Sequence, residues 1–274
     1  MSSNNLDHWY FLFESILNSS LTRIYMKSCR QVFLLIQNII SGLKMYSAVD
    51  CFKLALQAAA SADCCASVAK SRGANVESLS PVAYTFFTEA FLAYEGGITD
   101  SKVQLVSISS MVGTLLACKS FSNNDYETLI TKVAQYAARL LKKSDQCKMV
   151  MLCSHLFFKY EDEYKNPQRV LECLQRSLKL ANMCMASTPG NLQLFVDILD
   201  TYLYHFEKQN PMIVHNYITG LIALVNEHVN SIGPNPAITD SKRHFVQIVK
   251  SIEEKKRDAI TSAQYANIVC NMPN

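Results

Sequence analysis

From Val82 to Gln104 the chain reads VAYTFFTEAFLAYEGGITDSKVQ, an apolar stripe at helical spacing, a Gly96-Gly97 interruption and a restart at Asp100-Ser101. Val82, Ala83, Phe86, Phe87, Ala90, Phe91 and Tyr94 recur every three or four residues, which lines them along one face of an α-helix. Ser80 stands where a cap is wanted, with Pro81 at the first helical position, and the two glycines end the helix. Asp100-Ser101 then opens the next one. A helix, a tight turn and a second helix cannot bury their apolar faces alone. Stacking such units is how α-solenoids build a core.

The same periodicity runs through nearly the whole sequence. No sustained apolar/polar alternation bounded by hairpin turns occurs, so a sheet is not expected. Breakers are few, 8 Gly and 7 Pro in 274 residues, and they fall between periodic segments. Besides the Val82 helix, helices are predicted over about Leu6–Leu17, Thr22–Leu43, Ala48–Ala69 and Ser101–Lys119. Another follows the Ser122-Asn123-Asn124-Asp125 cap, and then come Gln146–Tyr160, Pro167–Met185, Asn191–Gln209, Met212–Ser231 and about Asp240–Ile260. The tail from Ala263 either frays or adds a short last helix. Expected inward faces include Val103, Val106, Ile108, Met111, Leu115 and Leu116, then Leu129, Ile130, Val133, Ala137, Leu140 and Leu141. About eleven helices result, with pairs recurring roughly every 40–45 residues, the period of HEAT and armadillo arrays. The predicted fold is all-α, a single continuous α-solenoid of HEAT-like antiparallel helix pairs over residues 1–274, with a globular helical bundle as the alternative.

Composition narrows the function classes. Charged residues are 18 % of the chain, below the usual quarter or so. Either part of the surface is covered in a larger assembly, or Ser, Asn and Gln supply the polarity. A net charge of +3 with scattered basic residues does not point to nucleic acid. The densest basic group, Lys255-Lys256-Arg257, follows Glu253-Glu254 and reads as a paired solvated face. The ten cysteines contain no C-x-x-C and no finger spacing. They read as reduced structural thiols, which points to the cytosol. The N-terminus lacks a signal-peptide pattern, and the most apolar run, Val32–Ile36, is too short to span a bilayer. Any membrane association is expected to be peripheral and through partners.

Catalytic chemistry finds no footing. His155, His205, His215, His228 and His244 lack a Cys or carboxylate at ligand spacing, and Cys153-Ser154-His155 are sequence neighbours that face apart on a helix. His155 reads instead as a core or interface histidine. No phosphate loop is present, and the acidic run Tyr160–Tyr164 lacks the glycine of a calcium loop. No catalytic residue, metal set or cofactor site is therefore predicted. The Asn191–Gln209 helix is apolar around much of its circumference. Its spare face either packs in the core or receives a partner. The candidate partner-binding residues are Phe195, Ile198, Tyr202 and Phe206, with Tyr217 and Leu221 of the next helix.

Several stretches closely resemble one protein family in order and helix phase over about residues 80–210. They are Val82–Gln104, Ala138–Gln146 (ARLLKKSDQ), Cys153–Phe157 (CSHLF), Arg169–Met185 (RVLECLQRSLKLANMCM) and Gln193–Lys208 (QLFVDILDTYLYHFEK). The family is the large α-solenoid subunit of the retromer sorting complex, the vacuolar protein sorting-associated protein thirty-five family, in its C-terminal half. Cys29–Gln57 fits in pattern, and the similarity fades after about residue 230. The loop around Ser61–Leu79 looks longer than the family norm and Lys159–Asn166 shorter. The resemblance implies a non-catalytic scaffold on endosomal membranes. It would cradle the small retromer subunit, which has a metallophosphoesterase-type fold, for cargo sorting. It also implies self-association into a homodimer at the solenoid tip through Lys142, Lys143 and Asp145, and a helix cap at Asp100-Ser101. The chain is expected to be a fragment or a divergent short form. An unrelated helical-repeat adaptor for another coat or cargo protein is the alternative reading.

Overall fold

The computed structural model describes residues 27–71, 79–159, 164–186, 188, 191–233 and 235–270. The predicted Leu6–Leu17 helix, the start of the Thr22 helix, most of the acidic run and most of the Lys70–Leu79 loop lie outside the described residues. Within them the elements are α1 (27–43), α2 (Ala48–Ser71), α3 (Ser80–Gly97), α4 (Ser101–Ala117), α5 (Asn123–Ala138) and α6 (Lys143–Cys153). These are followed by α7 (Pro167–Met185), α8 (Leu192–Glu207), α9 (His215–Ile232), α10 (Thr239–Arg257) and α11 (Ser262–Tyr265). Two 3-10 turns, Ser154–Phe157 and Pro236–Ile238, flank them, and an isolated antiparallel bridge joins Phe158 to Lys165. The fold is all-α and solenoid-like, with neighbouring helices packed in pairs. The chain divides into two compact units, Met1–Thr131 and Lys132–Asn274.

In the first unit α2 and α3 run antiparallel. Ala48 abuts Gly97, and the Phe52 ring lies tilted 6.5 Å from that of Tyr94. The alanines of α2 explain the close fit, since Ala55, Ala59, Ala62 and Ala66 are all fully buried. A Cβ on Gly97 would overlap that of Ala48. Gly97 therefore provides space rather than a left-handed turn: the residue that ends α3 is Ile98, extended at φ −98. The aromatics of the Val82 stretch are core, with Phe86 lying 5.9 Å from Phe33 and Phe87 5.9 Å from Phe121.

The predicted caps divide. Asp100 Oδ1 accepts from the amides of Lys102 and Val103 at 2.9 Å each, and Ser122 exchanges hydrogen bonds with Asp125. Ser80 does not cap α3. It is the first helical residue, and its hydroxyl donates to the Ser120 carbonyl at 2.9 Å, tying the turn after α4 to α3. The inward faces also need correction. Val106 is 64 % exposed and Leu116 points outward, because the buried stripe is Ile108, Met111, Val112 and Leu115. Leu141 is 81 % exposed, because α5 ends at Ala138 before its turn would face inward.

In the second unit α6 and α7 pair through reciprocal bonds. Cys147 Sγ donates to the Ser177 carbonyl at 3.3 Å, and Ser177 Oγ donates to the Cys147 carbonyl at 3.2 Å. The predicted Gln146–Tyr160 helix breaks at Cys153. There the backbone tightens to a 3-10 turn, and Asn166 N donates to Phe157 O at 2.7 Å, closing the loop. α8 and α10 run parallel: Gln193 meets His244, and Glu207 meets Lys255.

Helix starts measure the repeat. From each helix to its counterpart one pair on, the starts lie 53 residues apart for α2 to α4, 43 for α3 to α5, 42 for α4 to α6, 44 for α5 to α7, 49 for α6 to α8, 48 for α7 to α9 and 47 for α8 to α10. The steps from α3, α4 and α5 fall within the expected 40–45, and the others run longer.

Candidate partner-binding surface

Two polar clusters are buried deeply enough to invite a chemical reading. In the first, the Asp63 carboxylate of α2 accepts from Lys119 N at 3.0 Å, Ser120 N at 2.8 Å and Ser120 Oγ at 2.6 Å. All its partners are donors of one turn, so the cluster fastens α2 to the end of α4. In the second, Ser154 Oγ lies 3.0 Å from His205 Nε2, with both residues fully buried. His155, which the sequence places beside Ser154, instead stacks on His205 at 5.1 Å and meets Tyr204 edge-on at 4.7 Å.

A serine bonded to a histidine is the core of a hydrolytic dyad, but this pair cannot work as one. No solvent or substrate reaches it, and His205 Nδ1 meets no acceptor that would orient the ring. Burial, with His155 alongside, pushes the His205 pKa down to about 3. A base that weak takes no proton near neutral pH. Two thiols of this unit are equally quiet: burial pushes Cys147 up to about 12 and Cys173 up to about 11. Among the described residues no group of three or more His, Cys, Asp or Glu side chains is placed to hold a metal ion. None of their helices is long and apolar enough to cross a membrane.

α8 is the most enclosed helix of its unit. Leu192, Leu194, Phe195, Val196, Ile198, Leu199, Tyr202 and Leu203 are buried on several sides at once. Its neighbours are α6, α7, α9 and α10 of the same chain. Of the six candidate partner residues, Phe195, Ile198, Tyr202 and Leu221 are therefore interior and meet this chain's own elements. Phe195 lies against His228 at 4.7 Å, and Tyr202 lies 5.8 Å from Tyr217. Phe206 and Tyr217 stay half-exposed. Phe206 meets Tyr265 edge-on at 5.6 Å, and the Tyr265 hydroxyl donates to Glu207 at 2.6 Å, so α11 closes one side of this region. Tyr204, Met212 and Val214 are exposed on α8 and its turn into α9. Most of that face thus packs in the core, and an apolar edge stays exposed.

Lys142, Lys143 and Asp145 sit together at the start of α6. Lys142 is the capping residue and Lys143 the first helical one, both exposed, with Lys143 Nζ donating to Gln146 Oε1 at 3.3 Å. Asp145 lies in the first turn, where a carboxylate complements the helix N-terminus. Exposed Leu141 adjoins them.

Residues 7–228 match the family model of Vps35, vacuolar protein sorting-associated protein 35. The chain belongs to this family. The Vps35 match takes in α1 through nearly all of α9 and includes every candidate residue above, while α10 and α11 follow it. It begins well before residue 80, so Vps35 likeness reaches further toward the N-terminus than the quoted motifs. Vacuolar protein sorting-associated protein 35B of Arabidopsis thaliana is 41 % identical over 221 residues, covering 76 % of this chain and 26 % of that protein. Protein 35A of the same plant is 34 % identical over 247 residues, covering 87 % and 29 %. Vacuolar protein sorting-associated protein 35 of Schizosaccharomyces pombe is 42 % identical over 164 residues, covering 58 % and 20 %. The chain spans between a fifth and a third of the length of these Vps35 relatives.

Proposed function

We propose that this chain is a non-catalytic helical scaffold in vacuolar protein sorting, and that it binds the small, metallophosphoesterase-fold subunit of retromer. Family membership carries the reading, since the relatives are named for vacuolar protein sorting. The chemistry is in keeping with it: the buried Ser154–His205 pair and the high-pKa thiols serve packing. Partner contact falls on the apolar edge of α8 and α9, through half-exposed Phe206 and Tyr217 together with Tyr204, Met212 and Val214. Phe195, Ile198, Tyr202 and Leu221 hold that edge in place from beneath. Lys142, Lys143 and Asp145 form a separate self-association surface that makes a homodimer. The scaffold works in the cytoplasm, peripherally on endosomal membranes and through its partners, and serves cargo recycling toward the Golgi or the plasma membrane.

Size-exclusion chromatography of this chain with the small retromer subunit at micromolar concentration tests the reading. Co-elution in a single complex is expected. Separate elution of two folded proteins contradicts it.

A further inference from the structure

After α10 the chain turns back over the second unit. Asp258, Ala259 and Ile260 are exposed, and Thr261 closes the turn, its hydroxyl donating to the Lys255 carbonyl at 2.7 Å. Residues 262–270 then lie against α8 and α9 as a strap. Gln264 Nε2 donates to the Phe206 carbonyl at 2.9 Å, the Tyr265 hydroxyl donates to Glu207, and Val269 N donates to Thr219 Oγ1 at 3.1 Å. Tyr265 and Ile268, at i and i+3, are the strap's buried side chains, while Ala263, Ala266, Asn267 and Val269 stay exposed.

Two apolar anchors one helical turn apart, with polar contacts to either side, are how a short peptide docks on a helical surface. α11 is one turn long, too short to stay helical without such support. Phe206, Glu207 and Thr219 lie within residues 7–228 that match the family, and the strap lies beyond them. We propose, on the reading that the α8–α9 edge receives a partner, that residues 258–270 are a releasable cover of that edge, hinged at the exposed turn 258–260. Closed, the strap occupies Phe206, Glu207 and Thr219 at one side of the edge. Lifted, it frees the Phe206 ring and the Thr219 hydroxyl for an incoming surface. Its tether to α10 gives the strap a high effective concentration, so a partner must outcompete a built-in ligand. The partner that displaces it presents what the strap presents, an aromatic and an aliphatic side chain one helical turn apart.

Fluorescence anisotropy of a labelled synthetic peptide of residues 258–270, carrying Cys270→Ser and added to the full chain, reads the cover directly. The unmodified chain, its edge already occupied, should bind the peptide weakly. Tyr265→Ala, which loosens the tethered strap, should bind it about tenfold more tightly. The small retromer subunit should likewise bind the Tyr265→Ala chain about tenfold more tightly than the unmodified one. If Tyr265→Ala lowers helicity, Gln264→Ala combined with Val269→Pro, which removes the donors to Phe206 and Thr219, gives the same comparison. Equal peptide binding by the two chains, or none by either, overturns the proposal, as does equal affinity of both for the subunit. Peptide binding confined to the loosened chain, with the subunit bound by neither, removes the partner reading of the edge and leaves the strap as its releasable cover.

Discussion

Asp63 places a carboxylate, 5 % exposed, against two amides and a hydroxyl of the turn after α4. Charge-assisted bonds of this kind are among the stronger ones, and deleting the acceptor leaves buried donors with no partner. Asp63→Ala is expected to cost on the order of 3 kcal/mol, read as a lower denaturation midpoint, with Asp63→Asn intermediate. An alanine variant as stable as the parent would contradict that role. The one hint in the sequence was an acidic residue inside an Ala- and Cys-rich helix, whose partners lie 56 and 57 residues away. Spacing rules look only a few residues ahead, so no local pattern shows such a bond.

His205 adds a pH dependence at the same scale. Its pKa lies at about 3 in the fold, against an ordinary value near 6.5, so the unfolded chain binds the proton more readily below that value. Stability should be level above about pH 7, fall as the pH drops through 6.5, and flatten only near 3. From His205 alone the loss at pH 5 is about 2 kcal/mol. Burial lowers the His155 pKa too, which deepens the slope. Urea titrations at pH 7 and pH 5 measure it, and equal midpoints would refute the neutral buried pair. The Cys153-Ser154-His155 run read as neighbours that face apart, and the histidine that meets Ser154 comes instead from α8, 51 residues on.

Among the elements, α2 and α3 show what was legible. Aromatic periodicity indicated the core face of α3, and the buried alanines of α2 are what let the two helices approach. The function of Gly97 was hidden, because a glycine after an apolar stripe reads as a terminator whether its use is conformational or steric. Gly97→Ala is expected to destabilise the chain by about 1–3 kcal/mol as Ala48 is pushed away, while Gly96→Ala, with open space around it, should be neutral or mildly stabilising. Thermal melting distinguishes the two, and equal effects would contradict the steric account. α8 teaches the complementary lesson. Its apolar circumference correctly announced burial on several sides, but sequence alone does not say whose atoms do the burying. Here α6, α7, α9 and α10 of the same chain do it, which leaves an apolar edge exposed.

For the molecule as a whole, the reading is a helical scaffold with separable surfaces. Charge reversal at Lys142 and Lys143 should weaken self-association and leave partner binding intact, because both side chains project from the start of α6 and lie outside the α8–α9 edge. Sedimentation velocity follows the first effect, and an unchanged oligomer would remove the tip from the account. The most direct test of the scaffold is calorimetric titration of the small retromer subunit into this chain. The account predicts saturable 1:1 binding, weakened at least tenfold, by about 1.4 kcal/mol, when Phe206 and Tyr217 are both changed to alanine in a chain that stays folded. No heat of binding at micromolar concentration, or full affinity in the double variant, would contradict it.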